Sequence, residues 1–221
     1  MFSPPAEKTV VVVPGANALL KPEDLDANLE VIRSASIVLT QLEIPLATVA
    51  HLAEICAREG VPLVVDPAPA QHLPAEILHN ISWITPNEVE ARFFSSHGSS
   101  QNGESGLKML SNHLMSLGPR NVLLKLGERG AYLATRDGDR TAIAAFKVPV
   151  LDTTGAGDAF NGAFAAALAR GAAPVEAAEF ASAAAALSVT RFGALPSMPM
   201  RTEVEALLRA NFGDRSALAR W

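Results

Sequence analysis

Short apolar runs alternate along the chain with longer stretches in which apolar residues recur every three or four positions. The short runs predict β-strands, and Val61–Val65 is apolar throughout, as in a strand buried on both faces. Strands are predicted at Thr9–Val13, Ser36–Leu42, Val61–Val65, Ile81–Ile84 and Asn121–Leu126, with an antiparallel pair at Ala131–Thr135 and Thr141–Phe146.

The longer stretches predict helices between these strands. They begin at Pro22 and then cover Pro45–Arg58, Pro74–Leu78, Asn87–Phe94, Ser105–Leu117, Asp158–Arg170 and Pro174–Val189. A capping box at Thr202-Glu203-Val204-Glu205 opens the last helix, and Ser95–Glu104 is the longest predicted loop. Alternating strands and helices are typical of βαβ units, so we expect a doubly wound α/β domain whose mostly parallel sheet is flanked by helices.

One glycine-rich segment combines features that suit phosphate chemistry. Asp152-Thr153-Thr154-Gly155-Ala156-Gly157-Asp158 follows a strand end and opens a helix. Glycines let backbone N–H groups approach a ligand closely, and a helix N-terminus adds partial positive charge. Such a turn could steady phosphoryl oxygens while Asp158 takes a proton from an attacking hydroxyl. An ordinary glycine turn with Asp158 as N-cap explains the same residues.

The eleven residues of Asp152–Gly162 closely resemble the signature of the ribokinase-like (PfkB) carbohydrate kinases. The resemblance implies that Asp158 is the general base on the sugar hydroxyl. It also implies that the amides of Gly155, Ala156 and Gly157 form an anion hole. These three residues are called the anion hole.

The resemblance covers nearly the whole chain, which is expected to be one PfkB carbohydrate kinase domain over residues 1–221, the C-terminal and nucleotide-binding two-thirds of the family fold. Further landmarks are Pro14-Gly15-Ala16-Asn17, Gln41-Leu42-Glu43-Ile44-Pro45, Asp66-Pro67-Ala68-Pro69-Ala70 and Thr85-Pro86-Asn87-Glu88-Val89-Glu90. They imply that Glu43 faces the sugar, and that Asn87 and Glu90 order the triphosphate and its Mg²⁺ largely through water. From the residues alone, Glu43 is a solvated loop acid and Asn87 is a helix N-cap.

A second glycine-containing turn resembles the family's nucleotide-contacting turn; it reads Lys125-Leu126-Gly127-Glu128-Arg129-Gly130. Its glycines allow close approach to a ligand, although a glycine hairpin turn explains them equally well. The resemblance also assigns Gly157, Asp158 and Ser182 to the nucleotide. Family members that act on ribose usually carry a hydroxyl residue where Lys125 stands. Lysine there is familiar in fructokinase-like and ketodeoxygluconate-kinase-like members, which leaves the sugar open.

A third segment, Ser188–Ser197, resembles the loop that binds a monovalent cation in the family. The implied K⁺ site, built mostly from backbone oxygens, comprises Asp152, Thr154, Ser188, Arg191, Gly193 and Ser197. Carbonyl and carboxylate oxygens suit this large hard cation, which would help to hold the anion hole in shape. Without the resemblance, the segment is a plain loop after a helix with glycine at the cap.

Composition narrows the classes of function. The formal net charge is −5, so no basic excess attracts nucleic acid. The single cysteine, Cys56, excludes an internal disulfide, and no apolar stretch is long enough to span a bilayer. The first residues also lack the pattern of a signal peptide. The sequence therefore predicts a soluble cytoplasmic protein without nucleic-acid or membrane partners.

Several family features are not found in the sequence. They are a first strand, a sugar-binding Asp, a Gly-Gly-Lys-Gly-Ala-Asn-type motif, and the small β lid that forms the homodimer in the family. The resemblance begins just before Gly15, and Glu43 is the one sugar contact that it assigns. We therefore expect the chain by itself to be a poor sugar kinase.

Together these observations predict transfer of the ATP γ-phosphate to the 5-hydroxyl of a pentose, with D-ribose as the first candidate, Mg²⁺ as cofactor and K⁺ as activator. Two alternatives stay open. One is a kinase for another sugar or a nucleoside. The other is a non-catalytic nucleotide-binding or interaction protein derived from a sugar kinase.

Overall fold

A six-stranded sheet lies at the centre of the fold in a computed structural model, which describes residues 12–95 and 103–213. The strands are β1 (Val38–Thr40), β2 (Leu63–Val65), β3 (Trp83–Ile84), β4 (Asn121–Lys125), β5 (Ala131–Ala134) and β6 (Arg140–Ile143). They lie side by side in sequence order. β1 to β4 pair in parallel, and β5 and β6 add an antiparallel hairpin beside β4.

Helices cover both faces of this sheet. They are α1 (Pro22–Asp26), α2 (Leu29–Ser34), α3 (Leu46–Glu59), α4 (Ala75–Leu78), α5 (Glu88–Phe93), α6 (Glu104–Ser116), α7 (Ala156–Ala169), α8 (Pro174–Ser188) and α9 (Arg201–Phe212). Within the described ranges, no helix has both the length and the apolar character needed to cross a membrane.

Alternate residues of the inner strands enter two different hydrophobic cores. Leu63 and Val65 pack in the core on the α3 and α6 side, whereas Val64 packs on the α7 and α8 side. β4 repeats the pattern, with Leu123 in the second core together with Phe164 of α7. A strand buried on both faces must be apolar at every position, as the Val61–Val65 run is. The doubly wound, mostly parallel α/β fold predicted from the sequence is confirmed.

The parallel strands end at one side of the sheet, called here the carboxyl edge and comprising residues 41–43, 66, 85–87, 125 and 144. Asn87 and Lys125 form an isolated parallel bridge at this edge. β6 points the same way as β4, because each is antiparallel to β5, and Ile143 lies in register with Lys125 through Ala131. In open α/β sheets this edge is where ligands bind.

The predicted helix from Pro22 is two short helices, α1 and α2. Asn28 lies at the break, where its side-chain Nδ2 donates to Asp24 O over 2.8 Å. A side chain that takes a backbone carbonyl in this way competes with the helical hydrogen bond. Of the predicted strand Thr9–Val13, residues 9–11 lie outside the described residues, and Val12 and Val13 are exposed and not in a strand. The predicted Ser95–Glu104 loop also lies mainly outside them.

The capping box predicted at Thr202 is wrong, because the capping box of α9 lies two residues earlier in the chain. α9 begins at Arg201 with Met200 as N-cap, and Glu203 Oε2 accepts a hydrogen bond from Met200 N at 2.7 Å. Glu203 is therefore the third residue of the helix and reaches back across the first turn. The sequence pattern identified the helix but misplaced the residue from which it starts.

The turn that joins β4 to β5 depends on Gly130. This residue has φ +84°, and a Cβ on it would lie 2.0 Å from Ile143 O. We predict that Gly130→Ala lowers the free energy of unfolding by at least about 3 kcal/mol, because steric overlap adds to backbone strain. Gly127→Ala is the control: its φ is +59° with nothing within 4 Å, so strain alone should cost about 1–2 kcal/mol. Urea unfolding measures both, and equal losses would contradict the role of the Ile143 contact.

Candidate active site

The anion hole lies at the start of α7, which faces the carboxyl edge. Gly155 is the N-cap residue with φ +76°, and α7 begins at Ala156, two residues earlier than predicted. Gly157 and Asp158 thus belong to the first helical turn, where backbone N–H groups lack intrahelical acceptors. These amides and the helix dipole favour an anion at this position.

Close packing fixes the conformation of the anion hole. A Cβ on Gly155 would lie 3.1 Å from Ala194 Cα and 3.3 Å from Met198 Cε. Because φ is also positive, this position favours glycine on two independent grounds. The turn is therefore pressed against the segment that follows α8.

Asp152 joins the two sides of this contact. Its Oδ1 accepts from Thr154 N and its Oδ2 accepts from Gly193 N, both at 2.9 Å. The amide of Leu151 donates to Val189 O at 2.8 Å, next to the same carboxylate. A single side chain thus holds the residues before α7 and the loop after α8 in a fixed relation.

The remaining members of the sequence-predicted cation loop have their side chains engaged locally. Ser188 and Ser197 are fully buried, and their hydroxyls donate to Ala185 O and Ala194 O. Arg191 pairs with Glu203 at 2.5 Å. The oxygens that could bind a cation here are therefore those of the backbone and of the Asp152 carboxylate, and the K⁺ site stays a prediction.

Asp158 is exposed in the first turn of α7, at one end of a cleft of about 380 Å³. The cleft follows α7 as far as Arg170 and is lined mainly by small and apolar side chains, among them Ala163, Met198 and Val204. The carboxylate is thus open to an approaching substrate.

A buried polar network lies beside the anion hole. Lys125 Nζ donates to Asp66 Oδ2 at 2.6 Å, and Asn161 Nδ2 donates to the same oxygen. Lys125 Nζ also lies 3.8 Å from the position that a Cβ on Gly157 would occupy. Burial raises the pKa of Asp66, and the nearby Lys125 opposes this shift. The network joins the ends of β2 and β4 to α7.

Asn87 and Glu90 form a complete capping box at the start of α5. Asn87 Oδ1 accepts from Glu90 N at 2.9 Å, and the Glu90 carboxylate accepts from both Asn87 N and Asn87 Nδ2. Glu90 is 8% exposed, and burial raises the pKa of its carboxyl group. The N-cap predicted from the residues is therefore present, and the bridge to Lys125 places Asn87 on the carboxyl edge as well.

The turn after β4 is a tight hairpin connection whose charged side chains point outward. Residues Gly127–Arg129 form one 3₁₀ turn, closed by the bond from Leu126 N to Gly130 O at 2.8 Å. Glu128 is exposed, and Arg129 pairs with Glu88 of α5. The hairpin geometry and a nucleotide-contacting role are compatible, since the turn starts at Lys125 on the carboxyl edge.

The sequence profile of the pfkB family carbohydrate kinases matches residues 3–201 of the chain. The chain belongs to this family. It is 38% identical to the ribokinase of Staphylococcus aureus and 37% identical to that of Bacillus subtilis, covering 90% and 91% of this chain and 64% and 65% of those proteins. The chain thus spans just under two thirds of the length of these curated relatives.

Solved structures agree with the assignment to the pfkB family. The structure of Arabidopsis thaliana ribokinase complexed with ribose and ATP has a TM-score of 0.85 at 34% identity, over 91% of this chain and 65% of that one. The structure of ribokinase from Thermotoga maritima has a TM-score of 0.80 at 41% identity, over 90% of this chain and 64% of that one.

In this pfkB family chain, the two remaining predicted site residues lie on opposite flanks of the carboxyl edge. Glu43 is exposed in the loop after β1, where its amide donates to Gln41 Oε1. Ser182 of α8 is buried and donates to Ala144 O after β6, at 3.2 Å. Because β1 and β6 are the outer strands, the anion hole and Lys125 lie between these two residues.

The sequence analysis gave no role to Asp66 and Asn161, which the structure brings into contact with Lys125. Asp66 opens one of the landmark segments of the resemblance, and Asn161 lies within the Asp152–Gly162 signature, so both belong to recognised motifs. Their partnership could not be inferred, since Asn161 and Asp66 are 95 positions apart.

We predict that Asp152→Ala lowers the free energy of unfolding by about 3 kcal/mol or more, since it removes two hydrogen bonds to a charged group, which contribute about 1.5–3 kcal/mol each. The substitution leaves Thr154 N and Gly193 N without their carboxylate acceptor. Asp137→Ala, at an exposed acid in the β5–β6 turn, should change stability little. Chemical denaturation compares the three chains; a similar, small loss in both variants would show that Asp152 does not hold the two segments together.

Proposed function

We propose that the chain carries the phosphoryl-transfer site of an ATP-dependent ribokinase, which phosphorylates the 5-hydroxyl of D-ribose. The observation that carries this proposal is the anion hole itself. Its glycine turn opens α7 beside the Lys125 ammonium, and Asp158 lies exposed in the same helical turn. Backbone amides, a helix N-terminus and a cation surround a position that suits phosphoryl oxygens, with a carboxylate next to it.

These residues suggest how the transfer proceeds. Asp158 accepts the proton of the sugar hydroxyl while the hydroxyl oxygen forms a bond to the γ-phosphorus of ATP. The bond from that phosphorus to the β–γ bridging oxygen breaks, and ADP leaves with the electron pair. The amides of Gly155, Ala156 and Gly157 stabilise the charge on the equatorial oxygens during this step.

The arrangement of the flanks supports a division between the two substrates. We assign the sugar to the β1 side, where Glu43 is exposed, and the nucleotide to the β6 side, with the 125–130 turn and Ser182. The structural relative from Arabidopsis thaliana is complexed with ribose and ATP, which supports these two ligands for this chain.

We assign Glu90 and Asn87 to the binding of Mg²⁺ at the triphosphate. Mg²⁺ keeps several waters and binds through one or two carboxylates plus substrate phosphates. Over residues 12–95 and 103–213, no three acidic, His or Cys side chains cluster as a metal site, whereas the carboxylate of Glu90 is hydrogen-bonded to Asn87 of the carboxyl edge. Bound there through water, the ion would neutralise charge on the phosphate oxygens, and Glu90 and Asn87 would hold its hydration shell.

We also assign a K⁺ site to the loop after α8, with Asp152, Thr154, Ser188, Arg191, Gly193 and Ser197 as its members. The atoms that could coordinate a cation in this loop are backbone and carboxylate oxygens, which suit K⁺. Since Asp152 already fixes the loop to the anion hole, a cation here would act on the conformation of the anion hole rather than on the substrate.

The decisive experiment for the function is Asp158→Asn in a coupled assay of ADP release. We expect sugar-dependent turnover to fall by about 10²–10⁴-fold, the usual contribution of a general base. Affinity for Mg·ATP, measured by calorimetry, should change little. Ribose, fructose, ketodeoxygluconate and a nucleoside serve as acceptors, and Asp137→Asn is the control for loss of an exposed acid. A variant that retains more than a tenth of the parent rate would exclude Asp158 as the base.

Exchange of K⁺ for Na⁺ at constant ionic strength tests the cation loop. At a K⁺ concentration about five times the dissociation constant, binding to the native state should add about 1 kcal/mol to the free energy of unfolding. Asp152→Ala should abolish the difference between the two salts. Identical unfolding curves of the parent chain in K⁺ and Na⁺ would rule out this site.

A further inference from the structure

The Lys125 ammonium occupies a position that a purely structural ion pair does not require. It lies 2.6 Å from Asp66 Oδ2, and 3.8 Å from where a Cβ on Gly157 would be. Gly157 has no Cβ, so the ammonium faces the backbone of the anion hole directly. A phosphoryl group bound to these amides would lie within reach of Nζ.

Only one of the two carboxylate oxygens of Asp66, the partner of Lys125, accepts hydrogen bonds among the described residues. Asp66 Oδ2 accepts both from Lys125 and from Asn161, whereas Asp66 Oδ1 and Asn161 Oδ1 are buried without a hydrogen-bond partner in the part of the chain that the structure describes. Asp66 and Asn161 are 7% and 3% exposed. A buried network that leaves acceptors unpaired costs stability, and such networks persist at sites with another role.

Negative charge surrounds this lysine on several sides. Asp66 of the β2 end, Asp158 of α7 and Glu90 of α5 all interact electrostatically within this group. A polyphosphate that enters the anion hole meets the same carboxylates, which repel it. Lys125 is placed to offset this repulsion, provided that its ammonium can turn from Asp66 to the phosphate.

The chemistry of lysine permits that movement. Its ammonium is a compact charge with three donors on a flexible stem, so it can exchange one anionic partner for another nearby. Asp66 keeps its hydrogen bond from Asn161 when the ammonium moves, and Nζ already lies close to both Asp66 and the anion hole. A small movement of Nζ toward a bound phosphate therefore leaves the ammonium near enough to Asp66 to offset its charge.

We propose that Lys125 is a catalytic residue that contacts the transferred phosphoryl group, and that Asp66, steadied by Asn161, competes with this group for the ammonium. The proposal rests on the ATP-dependent function proposed above. Lys125 then strengthens its contact as charge develops on the equatorial oxygens, while the proton of the hydroxyl goes to Asp158 and ADP departs. Asp66 is a positioning residue that holds the ammonium beside the anion hole before nucleotide binds.

The test compares the affinities of the chain for Mg·ATP and Mg·ADP by calorimetry without sugar, so it does not depend on turnover. Lys125→Met alone leaves Asp66 buried without its cation and can unfold the chain. The informative variant is therefore Asp66→Asn/Lys125→Met, which removes both charges. It should bind ATP about tenfold more weakly relative to ADP than the parent does, as expected for loss of one charge-assisted contact.

Asp66→Asn alone should act in the opposite direction. The ammonium then has a neutral partner that competes less well with phosphate, so ATP affinity relative to ADP should rise severalfold. Lys108→Met, which removes an exposed lysine of α6, is the control for net charge and should leave the ratio unchanged.

A structural ion pair and a phosphate contact give different results. If both variants unfold at lower temperature but keep the parent's ATP-to-ADP ratio, Lys125 and Asp66 are structural partners and the proposal is wrong. If the folded parent chain binds neither nucleotide, the proposed function and this proposal fall together. If the ratio of ATP affinity to ADP affinity falls in the double variant and rises in Asp66→Asn, the result supports competition between Asp66 and phosphate for the Lys125 ammonium.

Discussion

The parallel pairing of β1 to β4 is the constraint on which the candidate site depends, because it ends the parallel strands at one edge. Val122 and Leu124 enter one core and Leu123 enters the other. A slip of one residue in β4 would exchange these side chains between the cores, and it would also turn Lys125 away from Asp66. The requirement to bury apolar side chains on both faces of β4 therefore also determines that the Lys125 side chain points toward Asp66.

A second constraint acts on α7 from outside the helix. The first turn of α7 can bind an anion only if its amides keep their orientation, since preorganised donors stabilise charge without rearrangement. Gly155 packs against Ala194, and Asp152 links Thr154 N to Gly193 N. Asp152 and Ala194, which lie outside α7, thus help to fix the conformation of its first turn.

Most of the fold could be predicted from the sequence, because apolar periodicity reports burial directly. The apolar run Val61–Val65 predicted a strand buried on both faces, and Pro45 and Gly60 indicated where α3 begins and ends. The errors arose where a single side chain decides the outcome. Asn28 breaks a helix by taking the carbonyl of Asp24, and Met200 rather than Thr202 is the N-cap of α9, with Glu203 accepting from its amide. Such local competition leaves no periodic signal.

The candidate site could be predicted in part. A glycine turn followed by an acid makes Asp158 a candidate base, because all the residues of this pattern are consecutive in the sequence. The network around Lys125 is different, since its bonds to Asp66 and from Asn161 span 59 and 95 positions. Contacts of this kind exist only once two cores have formed and have brought the ends of β2, β4 and α7 together. The sequence could show lysine at an unusual position, but not what holds it there.

The buried carboxylates near Lys125 also affect the stability of the chain. Burial raises the pKa of both Asp66 and Glu90, so each loses part of its contribution to stability as pH rises through that raised pKa. Apolar side chains in their place would often stabilise a fold. Within the described residues, the chain instead keeps two buried carboxylates, an oxygen of Asp66 without a hydrogen-bond partner, and Lys125, which interacts electrostatically with both acids. Such a cluster stabilises a fold less than apolar side chains of the same volume would, because desolvation of the charges offsets their attraction. This cost to stability is consistent with the phosphate-contacting role proposed for Lys125.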